Sequence, residues 1–224
     1  MKDAIVSDEL AKKFAKEKDT PYLQWIRKEG LDVIDAFYIQ NLNTVELKPW
    51  ARRGGLGVYI NHDASRTTND CYVCEIPAGG TLAPQSQLFE ETIMILSGHG
   101  KTTVKNFAGA EVEFEWGPGA LFAVPLNTVH QHYNLSGKEP ARFVSVTNAP
   151  PIINTYGDPD FVFNTRYDFL DRFNGEPDYF SAKGEQKGLL LETNFVPDGV
   201  NLPLIEAKER GAGGGHIRFN FAKS

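Results

Sequence analysis

The sequence predicts an all-β fold, a barrel or sandwich of many short strands with short helices before it. Between about residues 45 and 148, strand-like runs follow one another, and Gly- and Pro-containing turn signals separate them at roughly 8–12 residue spacing. Strands this short and this regularly spaced are typical of sandwiches and barrels. The expected strands are Val45–Lys48, Leu56–Ile60, Cys71–Ile76, Thr92–Leu96, Thr102–Phe107, Glu111–Trp116, Ala120–Val124, Val129–Asn134 and Arg142–Thr147.

Helical patterns flank this region. The first expected helix covers residues 7–17, with Ser7 as a capping residue. A second begins at Thr20-Pro21 and runs through Lys28, because proline suits the first helical turn and Gly30 is a natural stop. Beyond the strands, Thr165–Phe173 is expected to be a short helix that ends near Gly175. The expected domains are a helical arm (1–44), the barrel (45–150) and a C-terminal extension (151–224) that packs on the barrel or leads to a second one.

Composition excludes several functional classes. The 224 residues carry a net charge of −6 and are 41% hydrophobic, which supplies a real core. No long basic run favours nucleic acid or an anionic membrane, and no stretch of about 18 apolar residues could span a bilayer. The N-terminus lacks the apolar run of a signal peptide, so we expect a cytoplasmic protein.

The two cysteines, Cys71 and Cys74, have C-x-x-C spacing, which could indicate a redox pair or half of a zinc site. A structural zinc site needs two more ligands, and the sequence holds no second such pair. Residues three apart in a strand point to opposite faces. We therefore expect two reduced, packed thiols.

Two of the five histidines, His130 and His132, are close in sequence and lie in an expected strand. Residues i and i+2 of a strand point to the same face, so both imidazoles should face one side and Gln131 the other. Such a pair can form a metal or acid–base site, or it can be two hydrogen-bonded histidines inside a polar barrel.

A second polar run precedes another strand. Gln85 and Gln87 should share a face, and Glu91 follows four residues after Gln87. A carboxylate that enters an apolar strand is costly to bury unless it is paired or metal-bound. The alternative is that Glu90 or Glu91 is solvated and only the other points inward.

These residues fit the first motif of the cupin superfamily, G-x5-H-x-H-x3or4-E-x6-G. Here the motif is Gly79-x5-Gln85-x-Gln87-x3-Glu91-x6-Gly98. Every spacing agrees, but glutamines stand at both histidine positions.

The second cupin motif, G-x5-P-x-G-x2-H-x3-N, also has a counterpart. Here it is Gly119-x5-Pro125-x-Asn127-x2-His130-x3-Asn134, and only the inner glycine departs, to Asn127. Asparagine tolerates the left-handed conformation that such a turn can need. With both motifs in order, residues 45–148 resemble a cupin, which implies a jelly-roll barrel (a double-stranded β-helix).

The resemblance implies a divalent ion such as Fe, Mn, Ni or Zn, bound at the positions of Gln85, Gln87, Glu91 and His130. Glutamine is a weaker ligand than imidazole for transition metals, and His132 could offset the loss. A set of Glu91, His130 and His132, or of Gln87 with two of these, would resemble a two-His-one-carboxylate site, which leaves positions open for O2 or substrate. The expected pocket residues are Ile93, Ile95, Phe122, Val124 and Asn127.

The chain also looks like the first half of a two-barrel cupin of the gentisate-dioxygenase-like kind. In that case it is either a fragment or a single-barrel relative. Because cupins often pair their barrels, the resemblance further implies a homodimer. It also implies a small-molecule substrate or ligand. Near residue 50, Arg52 and Arg53 could place a guanidinium beside an anionic substrate, or could lie in an exposed turn.

Two functions follow from these observations. The first is a metal-dependent enzyme of dioxygenase type that acts on a small organic substrate. The second is a metal-free barrel that binds a small ligand or supports a partner barrel, which the two glutamines favour.

Overall fold

The computed structural model describes residues 19–62, 68–187, 190–202, 205–206, 215–216 and 218–221. The expected helix at 7–17 lies outside these residues. The described helices are α1 (Pro21–Glu29), α2 (Ala149–Tyr156) and α3 (Pro159–Asn164), with a 3₁₀ turn at Leu42–Thr44. The described strands are β1 (Val33–Ala36), β2 (Lys48–Trp50), β3 (Gly55–His62), β4 (Asp70–Ile76), β5 (Glu91–Ser97), β6 (Gly100–Lys105), β7 (Glu111–Trp116), β8 (Leu121–Val124), β9 (Val129–Asn134), β10 (Ala141–Thr147), β11 (Glu185–Lys187), β12 (Leu190–Glu192), β13 (Phe195–Val196), β14 (Ile205–Glu206), β15 (Gly215–His216) and β16 (Arg218–Asn220).

The predicted all-β barrel is confirmed. One large sheet has the strand order β1-β3-β4-β10-β5-β8-β13, with β2 paired to β3, and a second sheet has the order β7-β6-β9. Side chains from both sheets meet in one apolar core, which includes Ile93 and Phe122 from the first sheet and Val104 and Trp116 from the second. The barrel interior therefore lies between these two sheets.

Alternation along the strands decides which side chains enter that interior. In β9, the side chains of His130, His132 and Asn134 are buried while those between them are partly exposed. In β5, Glu91 is buried along with Ile93 and Ile95. The period of two that predicted a shared face for the histidines thus holds in the structure.

The two sequence motifs are joined by main-chain hydrogen bonds. The amide of Gln85 donates to the carbonyl of His130 at 3.0 Å, and the amide of His130 donates back to Gln85 at 2.8 Å. The amide of Asn127 donates to the carbonyl of Gln87 at 3.0 Å. These bonds bring the glutamine segment against β9 and fix the order in which its side chains approach Glu91.

The inner turn of the second motif needs a left-handed backbone. Asn127 has φ of +57°, as its place in the motif predicted. Gly98 has φ of +82°, and a Cβ there would lie 2.6 Å from Cα of Ala141, so this site accepts only glycine without a shift.

Most predicted strands form, with two differences near the start of the barrel. The expected strand Val45–Lys48 is wrong, because a 3₁₀ turn ends at Thr44 and the strand β2 begins only at Lys48. The strand β1 was not predicted, and it pairs parallel to β3. A four-residue strand carries too short a pattern to be recognised from sequence.

The predicted helix Thr165–Phe173 is also wrong. Residues 165–169 are irregular and a turn follows at 170–172. The Asn127 side chain takes the carbonyls of Thr165 and Tyr167, and the Asp168 carboxylate anchors the segment by accepting from the amides of Phe107 and Ala108.

The helices instead precede this segment. Prolines stand in the first turns of both α2 and α3, and the Asp158 side chain caps α3. These are the helix-start signals that could have located both helices from the sequence.

Both cysteines are free. Cys74 is buried in the barrel core, and Cys71 packs against a smaller apolar cluster that includes Val73 and Val144. The prediction of two packed thiols is confirmed. None of the helices in the described residues is both long enough and apolar enough to cross a membrane.

Candidate functional site

Glu91 stands at the start of β5 with its side chain fully inside the barrel. Its Oε1 accepts from the hydroxyls of Tyr72 and Ser145, the latter at 2.7 Å, and its Oε2 accepts from the Gln87 amide at 2.8 Å. Burial opposes ionisation, but His130, the Arg53 charge and the hydroxyls together hold the pKa of Glu91 below its usual range. Glu91 is therefore a buried carboxylate at neutral pH.

A chain of amide hydrogen bonds leads from the surface to this carboxylate. Arg52 Nη1 donates to Gln85 Oε1, Gln85 Nε2 donates to Gln87 Oε1 at 3.0 Å, and Gln87 Nε2 donates to Glu91 Oε2. A guanidinium can only donate and a carboxylate can only accept, so the two ends fix the orientation of both amides. We call these four residues the amide relay.

His130 lies opposite Glu91, with its Nε2 3.6 Å from Oε2 of the carboxylate. Its Nδ1 is 3.3 Å from the carbonyl of Thr128, which can only accept, so Nδ1 carries the proton. Burial, which outweighs the opposing effect of Glu91, lowers the pKa of His130 to about 4. The neutral ring thus presents an unprotonated Nε2 to the interior.

His132 is one strand repeat further along the same face. Its Nδ1 shares a 2.7 Å hydrogen bond with Oγ1 of Thr102, which also accepts from Nε1 of Trp116 at 2.9 Å. Burial, with contributions from His130 and Arg53, lowers the pKa of His132 well below its usual range. Nε2 of each histidine is buried and has no hydrogen-bond partner in the described part of the chain.

Arg53 is the cation of this interior. It follows Trp50 in the turn between β2 and β3, but its side chain is buried, with 1% of the residue exposed. Nη1 donates to the Ala83 carbonyl at 3.4 Å, whereas Nε and Nη2 find no acceptor among the described residues. The guanidinium charge helps to lower the pKa values of Glu91 and His130.

Arg52 points the other way, to the mouth of the barrel. It pairs with the Glu29 carboxylate at 2.7 Å and lies over the rings of Trp25, Trp50 and Phe163, at 5.0–5.7 Å from their centroids. An open cleft of about 500 Å³ begins here, and it is lined by Arg52, Gln85, Ser86, Val129, Phe163 and Asn164 among others. The outer end of the amide relay therefore faces an accessible cleft.

The expected pocket residues occupy the core around this site. Ile93, Ile95, Phe122 and Val124 are buried in the main apolar cluster. Asn127 is also buried, but its Nδ2 is used to hold the carbonyls of Thr165 and Tyr167. The structure thus gives Asn127 a clear role in tying the 165–167 segment to the barrel.

Sequence analysis missed several residues of this site. Tyr72, Ser145 and Thr102 supply hydrogen bonds to Glu91 and His132, and none was singled out. One signal was available for Ser145: it stands between Val144 and Val146 in a strand, where a buried polar residue needs a partner.

The glutamines do not fit the metal-ligand positions that the cupin motif gives them. A glutamine coordinates a metal through its oxygen. Here the oxygens of Gln85 and Gln87 each accept a hydrogen bond, and the Gln87 nitrogen faces Glu91. Within the residues that the structure describes, no three His, Cys, Asp or Glu side chains are arranged as a metal-binding group.

Comparison with known proteins gives a family match for the central region. The family model described as "Cupin domain" matches residues 72–147. No curated protein matches this chain.

Solved structures match about half of the chain. Oxalate decarboxylase of Lactobacillus farciminis, as a formate complex, aligns at 23% identity with a TM-score of 0.41, over 49% of this chain and 32% of that one. The Cnp3 cupin domain of Schizosaccharomyces pombe aligns at 20% identity and TM-score 0.41, over 52% and 77%. Vicilin from Capsicum annuum aligns at 14% identity and TM-score 0.40, over 43% and 28%. The match thus spans about a third of the decarboxylase.

Proposed function

We propose that the barrel, whose residues 72–147 match the cupin domain model, binds a small organic molecule beside Glu91, His130 and His132 without using a metal ion. The observation that carries this proposal is the direction of the amide relay. At the two family ligand positions, Gln85 donates to Gln87 and Gln87 donates to Glu91, so Glu91 is offered a hydrogen-bond donor instead of a cation. The glutamines then stabilise the buried carboxylate that a metal would otherwise neutralise.

The unpaired atoms of the interior support a ligand. Buried polar groups without partners cost about 1–3 kcal/mol each. Nε2 of His130, Nε2 of His132 and two nitrogens of Arg53 are such groups in the described part of the chain. A polar molecule that satisfies several of them at once gains this energy on binding, whereas a purely structural barrel would carry the cost without return.

A metal-dependent enzyme, including one of dioxygenase type, is the second candidate. The observation that favours it is the proton position on His130, whose Nδ1–H faces Thr128 and leaves Nε2 free. A backbone carbonyl at the far nitrogen is typical of metal-binding histidines. In this version Glu91, His130 and His132 would hold an Fe, Mn, Ni or Zn ion, which would supply a Lewis-acid or redox centre.

The two candidates are separated by two measurements on the full chain. Metal content is measured after incubation with Fe(II), Mn(II), Ni(II) or Zn(II), and small molecules are extracted from the purified protein and identified by mass spectrometry. NMR of the imidazole nitrogens then reports binding inside the barrel, with exposed His99 as the internal control. We expect far less than one ion per chain, and ligand-dependent shifts at His130 and His132 only.

Each outcome of these measurements distinguishes the two candidate functions. Stoichiometric metal in the wild type that is lost in His130→Gln but kept in His99→Gln would establish the second candidate. The absence of both metal and ligand effects would contradict the two proposals and leave a structural barrel. The homodimer is a further proposal, which sedimentation velocity tests directly.

A further inference from the structure

The buried guanidinium of Arg53 has one satisfied side and one open side. Its Nη1 donates to the Ala83 carbonyl at 3.4 Å. Its Nε and Nη2 are buried and donate to no acceptor in the described residues. These two nitrogens form the side-on edge of the guanidinium, whose N–H bonds run parallel and are spaced like the two oxygens of a carboxylate.

This open edge is not explained by pairing within the barrel. Glu91 is the buried carboxylate that feels the Arg53 charge, yet its oxygens accept from Tyr72, Ser145 and Gln87. An arginine stays charged at any physiological pH, so it cannot escape the cost of burial by losing its proton. A buried charge without a hydrogen-bonded partner destabilises the fold by several kcal/mol, and such groups persist where they serve binding.

We infer that the Nε–Nη2 edge of Arg53 binds the carboxylate of a small organic acid inside the barrel. This inference rests on the proposed function and names its ligand class. The edge belongs to the barrel interior, because Arg53 is 1% exposed and its Nε and Nη2, like the Nε2 atoms of His130 and His132, are buried without a partner in the described residues. Amides and esters of the same size would leave the cation unbalanced.

The neighbouring groups favour an anion at this edge. The donors around Glu91 already balance that carboxylate, so it does not need Arg53 as its direct partner. The Nε–Nη2 edge of Arg53 therefore keeps its two hydrogen bonds for the ligand.

The test compares carboxylates with their neutral amides. Binding of acetate, propionate and lactate is measured by calorimetry and by NMR of the His130 ring nitrogens, and acetamide, propionamide and lactamide serve as matched neutral probes. We expect at least one acid to bind and its amide to bind about 100-fold more weakly, since a bidentate ionic hydrogen bond is lost. This arm needs no variant protein.

The second arm uses Arg53→Met, with Arg27→Met as the matched control because Arg27 lies on the surface. We expect Arg53→Met to bind the acid about 100-fold more weakly, because the bidentate donor is removed, and its melting temperature is measured alongside as a check that it folds. Arg53→Lys keeps the positive charge but loses the two parallel N–H donors of the guanidinium, so we expect it to bind the acid about 10-fold more weakly than the wild type. Arg27→Met should match the wild type in both properties.

The inference is overturned if amides bind as tightly as acids, if Arg53→Met binds the acid normally, or if no acid binds. Failure of the proposed function gives a different result: in that case neither acids nor neutral molecules shift the NMR signals of His130 and His132. A neutral ligand that shifts both histidines while acids do not would keep the proposed function and remove this inference.

Discussion

The amide nitrogen of Gln87 donates to Oε2 of Glu91 across 2.8 Å, so a donor stands where the cupin motif places a metal-binding histidine. Gln85 supports this orientation by donating to the Gln87 oxygen at 3.0 Å. The two substitutions therefore act together, since either amide alone would lack its fixed direction. Their effect is to supply a hydrogen-bond donor to the buried carboxylate of Glu91.

Gln87→Met should be clearly destabilising. The change removes a hydrogen bond to a buried charge, which is worth about 1.5–3 kcal/mol. Gln131→Met is the matched control, because Gln131 lies in β9 with its side chain on the outer face, where its amide donates to the neutral carbonyl of Leu82. That variant should lose only about 0.5–1.5 kcal/mol. Urea unfolding at pH 7 measures both.

The pH dependence sharpens this comparison. The pKa of Glu91 is held below its usual range, so its stabilising contacts contribute above the unfolded pKa and are lost as pH falls through the folded one. The deficit of Gln87→Met relative to the wild type should therefore shrink in acid. Equal deficits for the two variants, independent of pH, would argue against a charged Glu91.

Restoring the family histidines should restore a metal site. In the double variant Gln85→His with Gln87→His, two imidazoles join Glu91 and His130, which completes the ligand set that the cupin resemblance implies. We expect this variant to bind one Mn(II), Fe(II) or Zn(II) per chain, and to melt at a higher temperature when metal is added, because the ion binds only the folded state.

The controls for this variant are the single substitutions and the triple variant that adds Glu91→Gln. Each should bind the ion more weakly than the double variant. Should the double variant hold no metal by elemental analysis, the proposal that the amide relay stands in place of the metal ligands would be contradicted.

The alternation of buried and exposed residues along each strand explains which features could be predicted from the sequence. The bounds of β7 and β9 agree with the prediction, and the shared face of His130 and His132 follows from the period of two. Tyr72 and Ser145 reach Glu91 only because β10 lies between β4 and β5, where Ser145 is the register partner of Tyr72 on one side and of Ile93 on the other. That register is set by the whole sheet.

The role of Arg53 was open at the sequence level for a similar reason. Arg52 and Arg53 are neighbours in one turn, yet Arg52 lies over aromatic rings at the cleft and Arg53 is buried in the barrel. Sequence alone gives both the same surroundings. The direction of a side chain in a turn depends on the main chain, here fixed by hydrogen bonds between Arg53 and both Trp50 and Ala83.

Asp70 should make stability fall as pH rises. It is buried and accepts from the hydroxyls of Tyr22 in α1 and Thr147 in β10. Burial raises the pKa of Asp70 to about 6 from 3.8, although both hydroxyls lower it. Between these values the folded state keeps a proton that the unfolded state has released, so stability declines by about 3 kcal/mol and is flat above pH 6.

Asp70→Asn removes that decline, and urea unfolding between pH 4 and 7 measures it. The informative quantity is the difference between wild type and variant, because the lowered pKa of His130 adds a slope of opposite sign in the same range. Asp32→Asn is the control, since Asp32 is exposed beside Lys48 and should leave the profile unchanged. Parallel profiles for wild type and Asp70→Asn would contradict the assignment.

Asn127 combines a backbone requirement with a side-chain one, and two substitutions separate them. Asn127→Gly accepts φ of +57° without strain but loses the hydrogen bonds from Nδ2 to Thr165 and Tyr167. Asn127→Ala loses the same bonds and also carries a left-handed alanine, which costs about 1–2 kcal/mol. We therefore expect alanine to be less stable than glycine by that amount in chemical unfolding.

Loss of the Asn127 side-chain hydrogen bonds should have a local effect on the segment that they hold. In both variants, amide hydrogen exchange should rise in residues 165–167, because their attachment to the barrel is lost while the strands remain paired. Exchange that stays unchanged there would mean that other contacts hold the segment. An alanine variant as stable as the glycine one would show instead that the backbone at position 127 relaxes to negative φ once the asparagine is gone.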